Sequence, residues 1–257
     1  MKCKKCGLVY SNPQPIPLDI NDHYGVDPGQ YWNEDYFVVP ENHYQDELSV
    51  LRKLTGNKKP LRVLDVGAGI GKVMKSLEKE GHDVYGIEAS PTFHKAAVEK
   101  MGIPTEKIHC VMLEDAEFPD GHFDFINISA VLEHLYDPDA CMKKLIRWLK
   151  PGGFINIEVP SSNWLMSKIF NLIYKIQGLR FVSNLSPMHN PYHLYEFSPV
   201  SFALNGAINN YTISHLHHFV CKTFAPKLLD KPLRRIMRLT KTGMQLMVWV
   251  RKSEIED

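Results

Sequence analysis

The sequence predicts an α/β protein built on a doubly wound parallel sheet, and three features carry that expectation. Val63, Leu64 and Val66 form a short apolar strand that breaks at once into Gly67, Gly69 and Gly71, then into a helix with Ile70, Val73, Met74 and Leu77 on one face. Strand-like and helix-like stretches alternate from there to Pro160, as a parallel sheet with crossover helices requires. Thr212 to Val220 and Met244 to Arg251 then read as two closing strands.

The 257 residues are 44% hydrophobic, ample for a core, with 30 Lys and Arg against 29 Asp and Glu. Such a balance lacks the positive excess of a nucleic-acid binder. Neither a signal peptide nor an uncharged apolar run of about 18 residues is visible, so a soluble, cytoplasmic protein is expected. Cys3, Cys6, Cys110, Cys141 and Cys221 are too scattered, and odd in number, for a disulfide framework. Cys3 and Cys6 form a C-x-x-C-G knuckle, a turn that presents two thiolates to one zinc ion, but no second pair follows. Two free thiols on a frayed end are the expectation. Pro13, Pro15 and Pro17 extend the chain into a stretch rich in tyrosine (Tyr24, Tyr31, Tyr36, Tyr44), read as loop and short helix, and Glu41 to Leu54 reads as a helix.

The glycines let backbone approach a ligand and leave helix N–H groups directed at it, which suits something nucleotide-like. A dinucleotide loop wants G-x-G-x-x-G; here the third glycine comes one residue early and Lys72 holds its place. Asp65 stands in the strand two residues ahead of Gly67, where a buried carboxylate repels a diphosphate and tolerates a cation. DVGAGIG, Asp65 to Gly71, resembles motif I of the class I S-adenosylmethionine (SAM) methyltransferases. The resemblance implies a Rossmann-like, seven-stranded sheet with an antiparallel closing pair, SAM as methyl donor and S-adenosylhomocysteine as product. It sets Asp65, Gly67, Ala68, Gly69 and Gly71 at the cofactor. The opening MKCKKCGLVYSNPQP resembles the second half of a zinc ribbon that precedes the catalytic domain in some small-molecule methyltransferases. The implied organisation is an N-terminal extension over 1–40, with truncated knuckle and lid, followed by a methyltransferase domain over 41–257. In that family the leading region lies over the cofactor, which makes Tyr24 and Tyr36 candidates for holding the methionine carboxylate, with aromatic packing of a lid as the competing role.

Asp83 to Ile87 reads as the second strand, and Glu88 follows 21 residues after Gly67, where Rossmann-like folds set a carboxylate against two ribose hydroxyls. Ala89 and Ser90 continue along the ribose and adenine, and Pro91 opens a helix. His109 to Leu113 reads as the third strand; the resemblance puts Leu113 and Glu114 beside adenine, with Asp115 as the competing neighbour. Phe123 to Ser129 is the fourth strand, Asp137 starts a helix to Leu149, and LKPGG stops it ahead of a fifth strand, Phe154 to Val159. This run also resembles the small-molecule methyltransferases. Ligands in open α/β sheets bind beyond the carboxyl ends of the strands, which sets Ser129, Glu133 and His134 beside the sulfonium and the acceptor. Some quinol O-methyltransferases of this group hold a divalent cation through acidic residues and a histidine of this loop. Here Ala130 stands where a further carboxylate is expected, so no metal ligands are assigned, and Glu133 with His134 reads equally as a salt-bridged helix start.

Residues 161–199 read as a substrate-side insertion. Trp164 to Leu179 is an apolar helix with Lys168, Lys175 and Arg180 on a narrow basic face; the first reading is a lid packed on the core, the second a membrane contact or dimer face through 164–180. The family's P-x-H-L-x-x-F-S run aligns with His193 on the acceptor side. Histidine titrates near the working pH, so His193, with His134 second, is the expected base for a hydroxyl acceptor. Between the closing strands Lys222, Lys227, Lys231, Arg234, Arg235, Arg238 and Lys241 interleave with Leu228, Leu229, Leu233, Ile236 and Leu239. They form a solvated helix face or a contact for an acidic acceptor such as a sugar nucleotide or lipid phosphate. The whole reads as a SAM-dependent methyltransferase acting on an oxygen of a small molecule: sugar, quinol, polyketide or lipid headgroup. The alternatives are a SAM-binding protein without turnover and a nicotinamide oxidoreductase; the oligomeric state is open.

Overall fold

The computed structural model describes residues 1–14, 32, 34–179, 182–183, 193–223 and 225–254. In chain order its strands are β1 (Val9–Tyr10), β2 (Arg62–Val66), β3 (Asp83–Ile87), β4 (Ile108–His109), β5 (Phe123–Ser129), β6 (Leu149–Pro160), β7 (Tyr195–Glu196), β8 (Tyr211–Phe219) and β9 (Gln245–Lys252). Seven of them form one sheet in the order β4-β3-β2-β5-β6-β9-β8. The strands from β4 to β6 are parallel, and β9 runs antiparallel to both of its neighbours. From β2 the chain works outward to β4 and then returns to β5 on the other side, so the carboxyl ends of β2 and β5 diverge into a crevice.

The helices are α1 (Gln45–Thr55), α2 (Lys72–Lys79), α3 (Pro91–Glu99), α4 (Pro138–Trp148), α5 (Leu165–Ile176), α6 (Pro199–Asn209) and α7 (Lys227–Thr240). The first three cover one sheet face, where Leu48, Leu51, Met74, Leu77 and Ala97 pack on Val63, Phe125 and Trp249. The Phe125 and Trp249 rings stack there at 5.3 Å. α4 and α6 cover the other face, with Met142, Leu145, Trp148 and Phe202 against Leu64, Val66, Ile126 and Ile128. Burial on both faces is why the central strands are mainly apolar, with Asp65, Asn127 and Asn156 as buried polar exceptions. α5 and α7 pack on each other outside this sandwich through Trp164, Met166, Ile169, Leu233 and Met237. Ser90, Asp137 and Ser198 cap α3, α4 and α6, each just ahead of a proline that needs no N–H partner.

Several boundaries differ from the sequence reading. β4 stops at His109 instead of reaching Leu113: it pairs with Gly86 and Ile87 of β3, and one further bond, Val111 N–H to the Glu88 carbonyl at 3.2 Å, follows before the chain turns away. α1 begins at Gln45, four residues late, behind Tyr44 in the left-handed region. LKPGG does end α4, but it is already strand: β6 starts at Leu149 opposite Phe123, and the pairing shifts register before Phe125. Nor is the N-terminus frayed. β1 pairs with β7, and the Ser198 hydroxyl donates to the Cys6 carbonyl at 2.6 Å. The Cys3–Cys6 knuckle is closed by Gly7 N–H to the Cys3 carbonyl (3.0 Å), and neither cysteine is in a disulfide.

Candidate active site

The crevice is built on the glycine loop after β2. Gly67 has φ +69°, and a Cβ there would lie 2.3 Å from Val131 Cγ2, so the loop passes the post-β5 segment at a distance only glycine permits. Gly69, at φ +56°, faces open space. Glu88 at the end of β3 braces this loop: one carboxylate oxygen accepts Gly69 N–H at 2.7 Å, the other Ser90 N–H at 2.8 Å. Burial raises the Glu88 carboxyl, and those two hydrogen bonds oppose the shift. A carboxylate has about four lone-pair sites, so acceptor capacity remains for a ribose diol.

A cleft of about 280 Å³ opens between the loop, the end of β3 and the segment after β5. Its wall includes Gly67, Gly69, Glu88, Ala89, Leu113, Glu114 and His134 among the expected site residues. The stretch around Leu113 and Glu114 is fixed from α4, since Lys144 Nζ donates to both carbonyls, at 3.4 and 2.6 Å. The sequence reading missed Phe93, Val111, Met112, Val131 and Leu135, apolar wall positions with no chemical signature of their own. Phe93 leads to Tyr36 indirectly: Trp32 packs edge-on against Phe93 at 5.5 Å and stacks on Tyr36 at 6.1 Å. Lys72 Nζ lies 4.7 Å from the Tyr36 ring centre, so Tyr36 belongs to an aromatic layer behind the wall. Tyr24 lies outside the described residues.

Four expected residues support the cleft from beneath. Ala68 is buried, Gly71 donates to its carbonyl at 2.8 Å and caps α2, and Ser129 turns its hydroxyl to Asn127 Oδ1 at 3.3 Å. Asp65 is 2% exposed and accepts from Asn127 Nδ2 at 2.7 Å; burial pushes its carboxyl up to about 7.

On the acceptor side, Ala130 adopts φ +55° and a single 3₁₀ turn, Leu132–His134, follows. It turns Glu133 inward and sets His134 on the wall. The insertion returns here because Leu194 N–H donates to the Glu133 carbonyl at 2.9 Å, which brings His193 edge-on to His134 with ring centres 4.9 Å apart. One donor atom each from Glu133, His134 and His193 lies within 4.8 Å of the others. Burial pushes the Glu133 carboxyl up to about 8, and its Oε2 has no hydrogen-bond partner among the described residues. The expected salt-bridged helix start is present only as a 4.0 Å approach of His134 Nε2 to Glu133 Oε1. His193, which the sequence reading set on the acceptor side as a base, joins Glu133 and His134 in this cluster.

A glycine loop braced by a strand-end carboxylate, at the diverging carboxyl ends of such a sheet, defines a Rossmann-like nucleoside-binding protein. Residues 40–218 match the family described as methyltransferase domain, and the chain belongs to that family, the SAM-dependent methyltransferases. It is 28% identical over 186 residues to a ubiquinone biosynthesis O-methyltransferase from Bordetella avium, covering 68% of this chain and 71% of that protein. A protein of the same name from Chromobacterium violaceum is 32% identical over 131 residues, covering 49% of this chain and 53% of its own length. A SAM-dependent methyltransferase from Mesorhizobium loti shares the fold, with a TM-score of 0.56 at 15% identity over 80% of this chain and 97% of that one.

Proposed function

We propose that this protein transfers the methyl group of SAM to a hydroxyl oxygen of a small molecule, with residues 41–257 as the catalytic unit and 161–199 on the acceptor side. The observation that carries the reading is one cleft with Glu88 against the Gly69 loop and His134, backed by His193, on its wall. The names of the two relatives above support oxygen as the acceptor atom. The acceptor oxygen attacks the methyl carbon in line, the carbon–sulfur bond breaks, and S-adenosylhomocysteine leaves as a neutral thioether. The step requires alignment, exclusion of water and removal of the hydroxyl proton. We assign that proton to His134, which lines the cleft, with His193 packed against it. With SAM and a panel of phenols, quinols and sugars, S-adenosylhomocysteine release is expected for at least one acceptor. His134→Ala should lower turnover by about 10²- to 10⁴-fold while leaving SAM affinity unchanged. Tight SAM binding with no product from any acceptor would instead favour a protein without turnover.

The buried cluster favours a second reading of the same wall. One carboxylate and two imidazoles suit a first-row divalent cation, and Glu133, His134 and His193 would hold it. Such an ion would supply Lewis-acid polarisation of the acceptor hydroxyl. Dialysis against a chelator separates the two: loss of activity restored by one divalent metal assigns the cluster to a cation, and unchanged activity assigns it to proton transfer.

A further inference from the structure

We propose that α7, together with the outer end of α5, docks this protein onto an anionic lipid bilayer. α7 presents its own apolar stripe to solvent: Leu228 is 86% exposed and Leu239 76%, with Leu229, Pro232 and Ile236 between them also exposed. Leu233 and Met237, on the adjoining face of the helix, already satisfy its packing against α5. α5 adds Leu172, Ile173 and Ile176, which continue the Ile169 stripe past the point where the packing ends. Scattered single apolar residues on a surface need no explanation; a stripe on two adjoining helices does.

The charges around the stripe define what it fits. α7 carries Lys227, Lys231, Arg234, Arg235 and Arg238 against Asp230 alone, in a chain whose net charge is +1. Asp230 is held by Thr223 and by Arg234, and no ion pair joins Lys227, Lys231, Arg235 or Arg238 to any described residue. An apolar stripe flanked by unpaired cations is the arrangement of a helix lying in a lipid headgroup layer, where the leucines enter the acyl boundary and the cations meet phosphates. A second copy related by a two-fold axis would set this basic face against itself. A nucleic acid would leave the leucines without a partner.

The position is consistent with the cleft. Ser161 N–H donates to the Met244 carbonyl and Leu165 N–H to the Thr242 carbonyl, and Pro160 pairs with Gln245. Both helices therefore rise from the rim at the carboxyl end of β6, the rim that bears the cleft. No helix among the described residues is long and apolar enough to cross a membrane, so the contact is with one leaflet.

Flotation of the full chain with phosphatidylcholine vesicles, with and without about 30% phosphatidylglycerol, tests this at low salt. At least about tenfold more protein should float with the anionic vesicles, and salt near 0.5 M should reverse it. Combined Lys231→Glu, Arg235→Glu and Arg238→Glu should abolish flotation. Leu228→Ser with Leu239→Ser should reduce it by about tenfold or more, with the circular dichroism spectrum unchanged because both side chains are already in solvent. The proposal is overturned if anionic vesicles bind no better than neutral ones, or if the leucine pair has no effect. It is equally overturned if oligonucleotides displace the vesicles, or if vesicles fail to bind while sedimentation shows a dimer that the leucine pair dissociates.

Discussion

Glu88→Ala is expected to weaken binding of SAM and of S-adenosylhomocysteine alike, by about 1–3 kcal/mol for the lost charged hydrogen bonds, or roughly tenfold to more than a hundredfold in Kd. The carboxylate has two duties. In the proposed function it accepts from the ribose diol, and in the structure it holds the loop by taking Gly69 N–H at 2.7 Å and Ser90 N–H at 2.8 Å. Alanine removes both, so the N–H of Gly69 loses its acceptor at the point where backbone must meet cofactor. Glu88→Gln retains one carbonyl oxygen and replaces the other with a donor that faces an N–H group; it should fall between wild type and alanine. Calorimetric titration with S-adenosylhomocysteine reads this without turnover, and a folded Glu88→Ala protein with unaltered affinity would remove Glu88 from the cofactor site. A weakened alanine variant alongside a glutamine variant equal to wild type would leave Glu88 as a loop brace without contact to the ribose through both oxygens.

How far the sequence reveals this site follows from the range of each signal. The strand, loop and helix from Arg62 to Lys79 are legible because glycine conformation and helical period are properties of a few neighbouring residues. β5 matches from Phe123 to Ser129 for the same reason: Phe123, Phe125, Ile126 and Ile128 are buried and close together, a local pattern that reads as strand. β4 fails because only Ile108 and His109 pair with β3, a tertiary contact that no local pattern records. The β1–β7 pair and the meeting of His134 with His193 join segments far apart in the chain, and nothing in either segment names its partner. Ala130 is a related case. At a left-handed φ it reads in sequence as a missing carboxylate, whereas in the fold it is the bend ahead of the turn that puts Val131 and His134 on the cleft wall.

Asp65 carries the largest expected effect of pH on stability. It is 2% exposed, and among the described residues its carboxyl accepts one hydrogen bond, from Asn127, whose Oδ1 in turn accepts from Tyr44 (2.7 Å) and Asn156 (3.0 Å). Burial, aided by the nearby charge of Glu88, pushes the carboxyl from 3.8 in the unfolded chain up to about 7. Between those values the native state keeps a proton that the unfolded state has lost, so stability falls as pH rises through that window and levels off above about 7. The integrated loss is on the order of a few kcal/mol. Asp65→Asn preserves the Oδ1 acceptor for Asn127 and removes the ionisable group, so its stability should lack this slope. Urea denaturation at pH 5 and pH 8 should therefore show the variant gaining on wild type with rising pH, by on the order of 1–3 kcal/mol across the interval. Parallel profiles would mean that Asp65 is already ionised in the native state at pH 5. The buried amides beside it would then have to stabilise a full negative charge, a role in which Asn127, with one N–H already on Asp65, could be tested by Asn127→Leu.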